Sequence, residues 1–195
     1  MHIMKLKRQH IADVASLHER YIDGGFISSL GSAFLVHLYE SMITSENAFC
    51  LVAEDAGEIH GFISGTYDLS IFYNDFLKKK FVPVMALLVP KLIKPKIFWK
   101  LVETFIYPSK QKNLPGAELL SIVVSDKYRG KGVSESLFKS MVSEFKEKNI
   151  TNFKVVVGSN LSAATRFYQK MGGIPYAEIE VHNAEVSRVY VWEIS

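Results

Sequence analysis

The chain has a single cysteine, Cys50, so it can form no internal disulfide. Cys50 lies in the apolar run Phe49 to Ala53, where a thiol is expected as a small buried residue. Long uninterrupted apolar runs are also missing. Crossing a bilayer takes roughly 20 consecutive apolar residues, and lysines and prolines interrupt every candidate stretch. A large excess of one charge is missing too: the formal net charge is +3, which does not imply nucleic-acid binding. The N-terminus has no signal-peptide hydrophobic region, and there is no internal repeat or low-complexity segment. These absences leave a cytoplasmic protein as the expectation, with no metal. The composition, 48% apolar and 22% charged, is ordinary for a globular chain. At 195 residues, one domain spanning 1–195 with a real core is expected.

The most informative stretch is Glu118 to Glu147. Leu119 to Val124 is β-branched and apolar, like a buried strand. Ser125 to Tyr128 is a polar turn. Arg129-Gly130-Lys131-Gly132-Val133-Ser134 follows. Then Leu137, Phe138, Met141, Val142 and Phe145 recur at three- and four-residue spacing, the mark of one apolar helix face. A glycine-rich turn therefore joins a strand to a helix N-terminus. Such a turn aims backbone N–H groups and the positive end of the helix dipole at one place, which suits a phosphate or pyrophosphate. The P-loop pattern fails because Ser125 stands where its first glycine is needed. The dinucleotide pattern G-x-G-x-x-G fails at Glu135.

What does fit is Arg129-x-x-Gly132-x-Ser134. It resembles the Arg/Gln-x-x-Gly-x-Gly/Ala loop of the GCN5-related N-acetyltransferases (GNAT), with Ser134 in place of the last small residue. A second segment, Asn160 to Gly172, resembles that family's Asn-x-x-Ala-x-x-x-Tyr-x-x-x-Gly-Phe. Ala164, Tyr168 and Gly172 match. The signature Asn falls at Leu161, with Asn160 one residue early, and the closing Phe is Gly173, so packing is expected from Ile174 or Tyr176.

The resemblance implies an α/β fold, with a mixed central sheet of about seven strands flanked by helices. It implies acetyl-CoA as co-substrate and a small-molecule amine as acceptor, with amino sugars and nucleotide sugars among the candidates. The loop residues Arg129, Gly130, Lys131, Gly132, Val133, Ser134 and Glu135 would hold the pyrophosphate, and Asn160 would make a further coenzyme contact. Ile122, Val123 and Val124 would offer backbone groups to the pantetheine arm and the thioester carbonyl. Tyr168 would be the general acid for the departing thiolate. An acceptor ammonium must lose a proton before it can attack. Glu118, at the head of the strand, resembles the family's base in position. If the strand is regular, Glu118, Leu120, Ile122 and Val124 share one face.

The remaining elements follow in order. Ile3 to Arg8 alternates like a strand. A helix from Gln9 or His10 to about Tyr21 presents Ile11, Val14, Ala15 and Leu17, and Gly24 and Gly25 end it. Ser29 or Ser32 could cap a second helix to Thr44, with Phe34, Leu35, Leu38, Tyr39 and Met42 on its apolar face. In the resembling family the link between these helices helps line the acceptor pocket, which makes Phe26, Ser28 and Ser29 candidate acceptor contacts. Phe49 to Glu54 and Glu58 to Tyr67 form a hairpin about Asp55-Ala56-Gly57. Phe153 to Val157 is a strand. Tyr176 to His182 and Ser187 to Ile194 form a closing hairpin, with His182 near its turn.

The segment 68–116 is a helical insertion between the third and fourth strands. It is rich in aromatics and carries nine lysines between residues 78 and 112 against one acid, Glu103. Pro83, Pro90, Pro95 and Pro108 should divide it into short helices. Three roles stay open: a packed lid over the acceptor pocket, a contact with anionic lipid, or a homodimer surface. The rival to an enzyme is a non-catalytic module that binds an acyl-CoA, or one that docks to a membrane or partner through this segment.

Overall fold

The computed structural model describes residues 1–22, 26–92, 114–181 and 185–194. The elements are β1 (His2–Lys5), a 3-10 turn (Arg8–His10), α1 (Ile11–Tyr21), α2 (Phe26–Ser29), α3 (Ser32–Thr44), β2 (Ala48–Asp55), β3 (Glu58–Thr66) and α4 (Leu69–Leu92). Then come β4 (Glu118–Val124), a 3-10 turn (Asp126–Tyr128), α5 (Val133–Glu147), β5 (Asn152–Gly158), α6 (Ser162–Lys170), β6 (Ile174–Val181) and β7 (Glu185–Glu193). The seven strands form one mixed sheet in the order β1-β2-β3-β4-β5-β7-β6. Only β4 and β5 pair in parallel; the other neighbours are antiparallel.

Strand alternation splits the apolar side chains between two cores. Cys50, Val52 and Phe62 face one way and pack with Val14, Ala15, Phe34, Leu35 and Tyr39 of α1 and α3. Phe49, Leu51 and Ile63 face the other way and pack with Leu137, Phe138, Met141 and Phe145 of α5 and Tyr168 of α6. The β2–β3 hairpin turns through Ala56 and Gly57, both at positive φ, as a two-residue hairpin requires. Cys50 is buried, and burial pushes its thiol well up.

Three local expectations are corrected. The cap of α3 is Gly31, not Ser29 or Ser32: Ser32 is already helical, and the Ser29 hydroxyl donates to Phe26 O at 2.6 Å. The insertion does not break at its first prolines. α4 runs through Pro83 and Pro90 as one 24-residue helix. Its N-terminus is held by Asp68, whose Oδ1 accepts from Ile71 N at 2.9 Å. On its inner face Phe72, Phe76, Val84 and Leu88 are buried in the α1/α3 core, and that packing outweighs the helix-breaking cost of Pro83. Pro95, Pro108 and most of the lysine-rich segment lie outside the described residues, as do Gly24, Gly25 and His182. Third, Ile174 and Tyr176 do not supply the packing lost at Gly173, for they are 63% and 59% exposed. Trp192 fills that space instead.

No helix among the described residues is long and apolar enough to cross a membrane.

Candidate active site

β4 and β5 begin as neighbours and then part. They pair only at Glu118↔Lys154 and Leu119↔Val155. Beyond that, β4 stays with β3 as far as Val124↔Gly61, while β5 stays with β7 as far as Gly158↔Ser187. The facing edges of Leu120–Val124 and Val156–Gly158 therefore lack strand partners in each other. Backbone N–H and C=O groups demand partners, so the wedge between the strands suits an extended ligand that pairs like a strand.

β4 also carries a bulge. The register with β3 passes from Ser64↔Ser121 to Gly65↔Leu119, which leaves Leu120 as the extra residue. The bulge corrects the simple alternation: Leu120 packs on the α1/α3 side, whereas Leu119, Ile122 and Val124 pack on the α5 side. Glu118 points away from Leu119, toward the face covered by α4, where its charge reaches Tyr73.

At the mouth of the wedge, the chain turns through Asp126–Tyr128 into the glycine loop. Gly132 caps α5 at φ 76°, in the left-handed region that favours glycine. No side chain caps this helix. Among the described residues no protein acceptor takes the N–H of residues 130–135, as expected at an uncapped helix start. The loop is anchored from behind. Tyr128 stacks on His60 with ring centres 3.9 Å apart. Arg129 donates to Val124 O at 3.3 Å, pairs with Asp126 at 2.9 Å and lies over the Tyr21 ring. Lys131 lies over Tyr128. Val133 is buried and offers only its backbone; Glu135 is tied to Lys170 of α6 at 2.6 Å. A pyrophosphate therefore fits these residues: donors without acceptors, a helix N-terminus and two exposed cations.

Glu118 is buried, and Lys154 Nζ lies 3.1 Å from its Oε2. Burial raises the Glu118 carboxyl above its ordinary range, and Lys154 only partly pulls it back. Tyr168 sits on the other side of the sheet, on α6, with its ring against Tyr190 and Trp192. Burial pushes its phenol well above the ordinary value, so it keeps its proton at neutral pH. Glu118 and Tyr168 thus flank the wedge from opposite faces rather than touching.

Asn160 is exposed in the turn that ends β5, beside the open end of the wedge. Phe26 is buried in the α1/α3 core, the Ser28 hydroxyl is buried without a hydrogen bond, and Ser29 is exposed. Among the described residues no group of three or more His, Cys, Asp or Glu is placed to hold a metal.

The sequence reading missed Lys154. Its signal was available: a lysine inside the apolar run Phe153 to Val157, where a buried strand should carry no unpaired charge. Trp192 was missed as well, because its partner Gly173 has no side chain to advertise the contact.

The sequence matches the acetyltransferase (GNAT) family over residues 16–173, and the chain belongs to that family. The fold agrees with solved acetyltransferases at low identity. An N-acetyltransferase from Staphylococcus aureus is 14% identical, with a TM-score of 0.65, and the alignment covers 100% of this chain and 98% of that one. Ard1 from Thermoplasma volcanium is 16% identical, with a TM-score of 0.64 and 100% and 97% covered. A variant of spermidine N-acetyltransferase from Vibrio cholerae is 14% identical, with a TM-score of 0.61 and 99% and 95% covered. No curated protein matches the sequence.

Proposed function

We propose that this chain, as one catalytic domain, transfers an acetyl group from acetyl-CoA directly to a primary amine, with both substrates bound together. The observation that carries this reading is the parting of β4 and β5 beside a loop of unpaired N–H groups. The wedge takes the pantetheine arm along Ile122–Val124. One strand N–H there polarises the thioester carbonyl, as a fixed dipole would in an oxyanion hole. Residues 129–135 hold the pyrophosphate, and Asn160 borders the arm. Glu118 takes a proton from the acceptor ammonium, directly or through one water. The free amine then forms the N–C bond as the C–S bond breaks. Tyr168 gives a proton to sulfur and is reprotonated from solvent, which balances the proton that the new amide nitrogen releases. The acceptor approaches from the face covered by α4, past the α2 segment that carries Ser28 and Ser29, with the Phe26 side chain in the core beneath it. Amino sugars and nucleotide sugars are the first acceptors to screen.

Calorimetric titration with acetyl-CoA, on the wild type and on Gly132→Trp, tests this reading. A Cβ at Gly132 meets nothing within 4 Å. No atom stands in the way of the indole before the α5 N-terminus, but φ +76° strains any side chain there, so the variant both covers the anion site and disturbs the loop that forms it. Saturable binding that the variant loses is expected; thiol release with a panel of amines then identifies the acceptor. Absence of binding by the wild type would overturn the assignment.

A further inference from the structure

One rung of the sheet carries three polar side chains through the interior. Thr66 of β3, Glu118 of β4 and Lys154 of β5 are successive register partners, Thr66↔Glu118 and Glu118↔Lys154. Directly opposed residues share a face, with Cβ atoms roughly 5 Å apart. All three are almost fully buried, at 0%, 6% and 3% exposure. Such a row is costly in a core unless its groups satisfy one another.

They do so only in part. Lys154 Nζ stands 3.1 Å from Glu118 Oε2, close enough to neutralise it. Yet the lysine aims a hydrogen bond at Pro115 O, and Glu118 Oε2 accepts none. The Thr66 hydroxyl is also buried without a partner. The ammonium therefore supplies its charge to Oε2 at close range while its well-aligned hydrogen bond goes to Pro115 O. Beyond this rung and the next, β4 and β5 separate, so the Glu118–Lys154 pair lies at the closed end of the wedge.

We propose that Lys154 is a positioning residue: it holds Glu118 as a carboxylate inside the protein, in the form that can take a proton from the acceptor. This role rests on Glu118 being the base of the reaction proposed above. The balance is simple. An N–H bond of the ammonium breaks, its proton goes to the Glu118 carboxylate directly or through one water, and Glu118 later returns it to solvent. Without the lysine, burial would keep Glu118 protonated and useless as a base. Among the described residues, the charged and titratable groups that act on Glu118 are Lys154 from β5 and Tyr73 from α4; β3 contributes the neutral Thr66 hydroxyl. Burial and the Glu118 charge both push Tyr73 up, so it stays a phenol across the working range.

The test is a carbon-13 NMR titration of protein labelled at the glutamate carboxyl carbon, without coenzyme or acceptor. The Glu118 signal is the one that Glu118→Gln removes. In Lys154→Met its midpoint should rise by more than about one pH unit, a tenfold change in proton affinity. In Lys154→Arg, which keeps the charge, it should stay near the wild-type value. Thr66→Val removes a hydroxyl but no charge and should move it less than Lys154→Met does. An unmoved midpoint in Lys154→Met overturns the proposal. Should that variant fail to fold, the reciprocal measurement decides. In Glu118→Gln the Lys154 ammonium, followed by nitrogen-15 NMR, should titrate more than about one unit lower than in the wild type, and no change would overturn the coupling. Neither titration requires acetyl-CoA. A failure of the acetyltransferase reading appears in the calorimetry, and a failure of the Lys154 role appears here.

Discussion

Trp192 occupies the space that a side chain at position 173 would need. A Cβ built on Gly173 falls 2.6 Å from Trp192 Cζ2 and 2.9 Å from Tyr168 O. The indole lies flat on Phe153, 4.9 Å away at 4°, and its Nε1 donates to Met171 O at 2.9 Å. The aromatic that the family signature places after its glycine is supplied here from β7. Gly173→Ala should therefore destabilise the fold by about 1–3 kcal/mol, the usual cost of overpacking. Trp192→Phe should recover part of that loss in the double variant, because it withdraws the ring edge that clashes. Chemical unfolding of the four proteins measures the coupling, and additive losses would refute it.

This pair also marks the limit of what the sequence could disclose. The order of strands and helices was legible because periodicity and turn residues are local, and the two signatures fixed the loop and α6. The exchange of an aromatic between position 173 and β7 is a packing relation between distant residues, and no local pattern records it. The bulge at Leu120 is similar: it depends on register with β3, and a plain alternation assigns Ile122 and Val124 to the wrong face. The charge at Lys154 was visible. Its partner was not, because parallel register between β4 and β5 is set only once the sheet forms.

The unbroken α4 leads to a second prediction. Pro83 lies inside the helix, where it lacks an N–H for the carbonyl one turn back and crowds that carbonyl. The neighbouring side chains Val84 and Leu88 are nonetheless buried. Tertiary packing holds the helix across a residue that would interrupt it in isolation. Pro83→Ala should raise the unfolding temperature, by an amount equivalent to about 1 kcal/mol or more, because propensity and packing then agree. A fall in stability would show that the helix depends on the proline's geometry.

His18 gives the fold a pH dependence of known sign. It is buried against Phe62, bonds Tyr39 Oη through Nδ1 at 2.6 Å, and burial lowers its pKa from 6.5 to about 4. The unfolded chain takes up a proton there near pH 6.5, and the folded chain only near pH 4. The stability associated with neutral His18 is thus complete above about pH 6.5 and is lost as pH falls toward 4. The shift is worth roughly 3 kcal/mol. Urea unfolding at pH 7.5 and 4.5 should show this loss in the wild type and a smaller one in His18→Phe. Equal slopes in both would assign the acid sensitivity to other groups.

Tyr168 allows the acid and base roles to be separated. A phenol in water would begin to lose its proton near pH 10. Burial pushes Tyr168 higher still, so ionisation of the acid should not limit turnover anywhere below that. The base side is different: Glu118 sits above the ordinary carboxylate range, so the rate should fall as the pH drops through its raised pKa. The pH profile of kcat/KM should therefore show an acidic limb and no phenol-dependent basic limb up to about pH 9.5. Tyr168→Phe should lower kcat about a hundredfold or more, the range of a lost general acid. It should leave the acidic limb in place and acetyl-CoA affinity little changed, because the ring keeps its packing against Trp192. Glu118→Gln should instead abolish the acidic limb. If Tyr168→Phe turned over at the wild-type rate across the whole profile, the proton for the thiolate would have to come from solvent, and Tyr168 would be a packing residue alone.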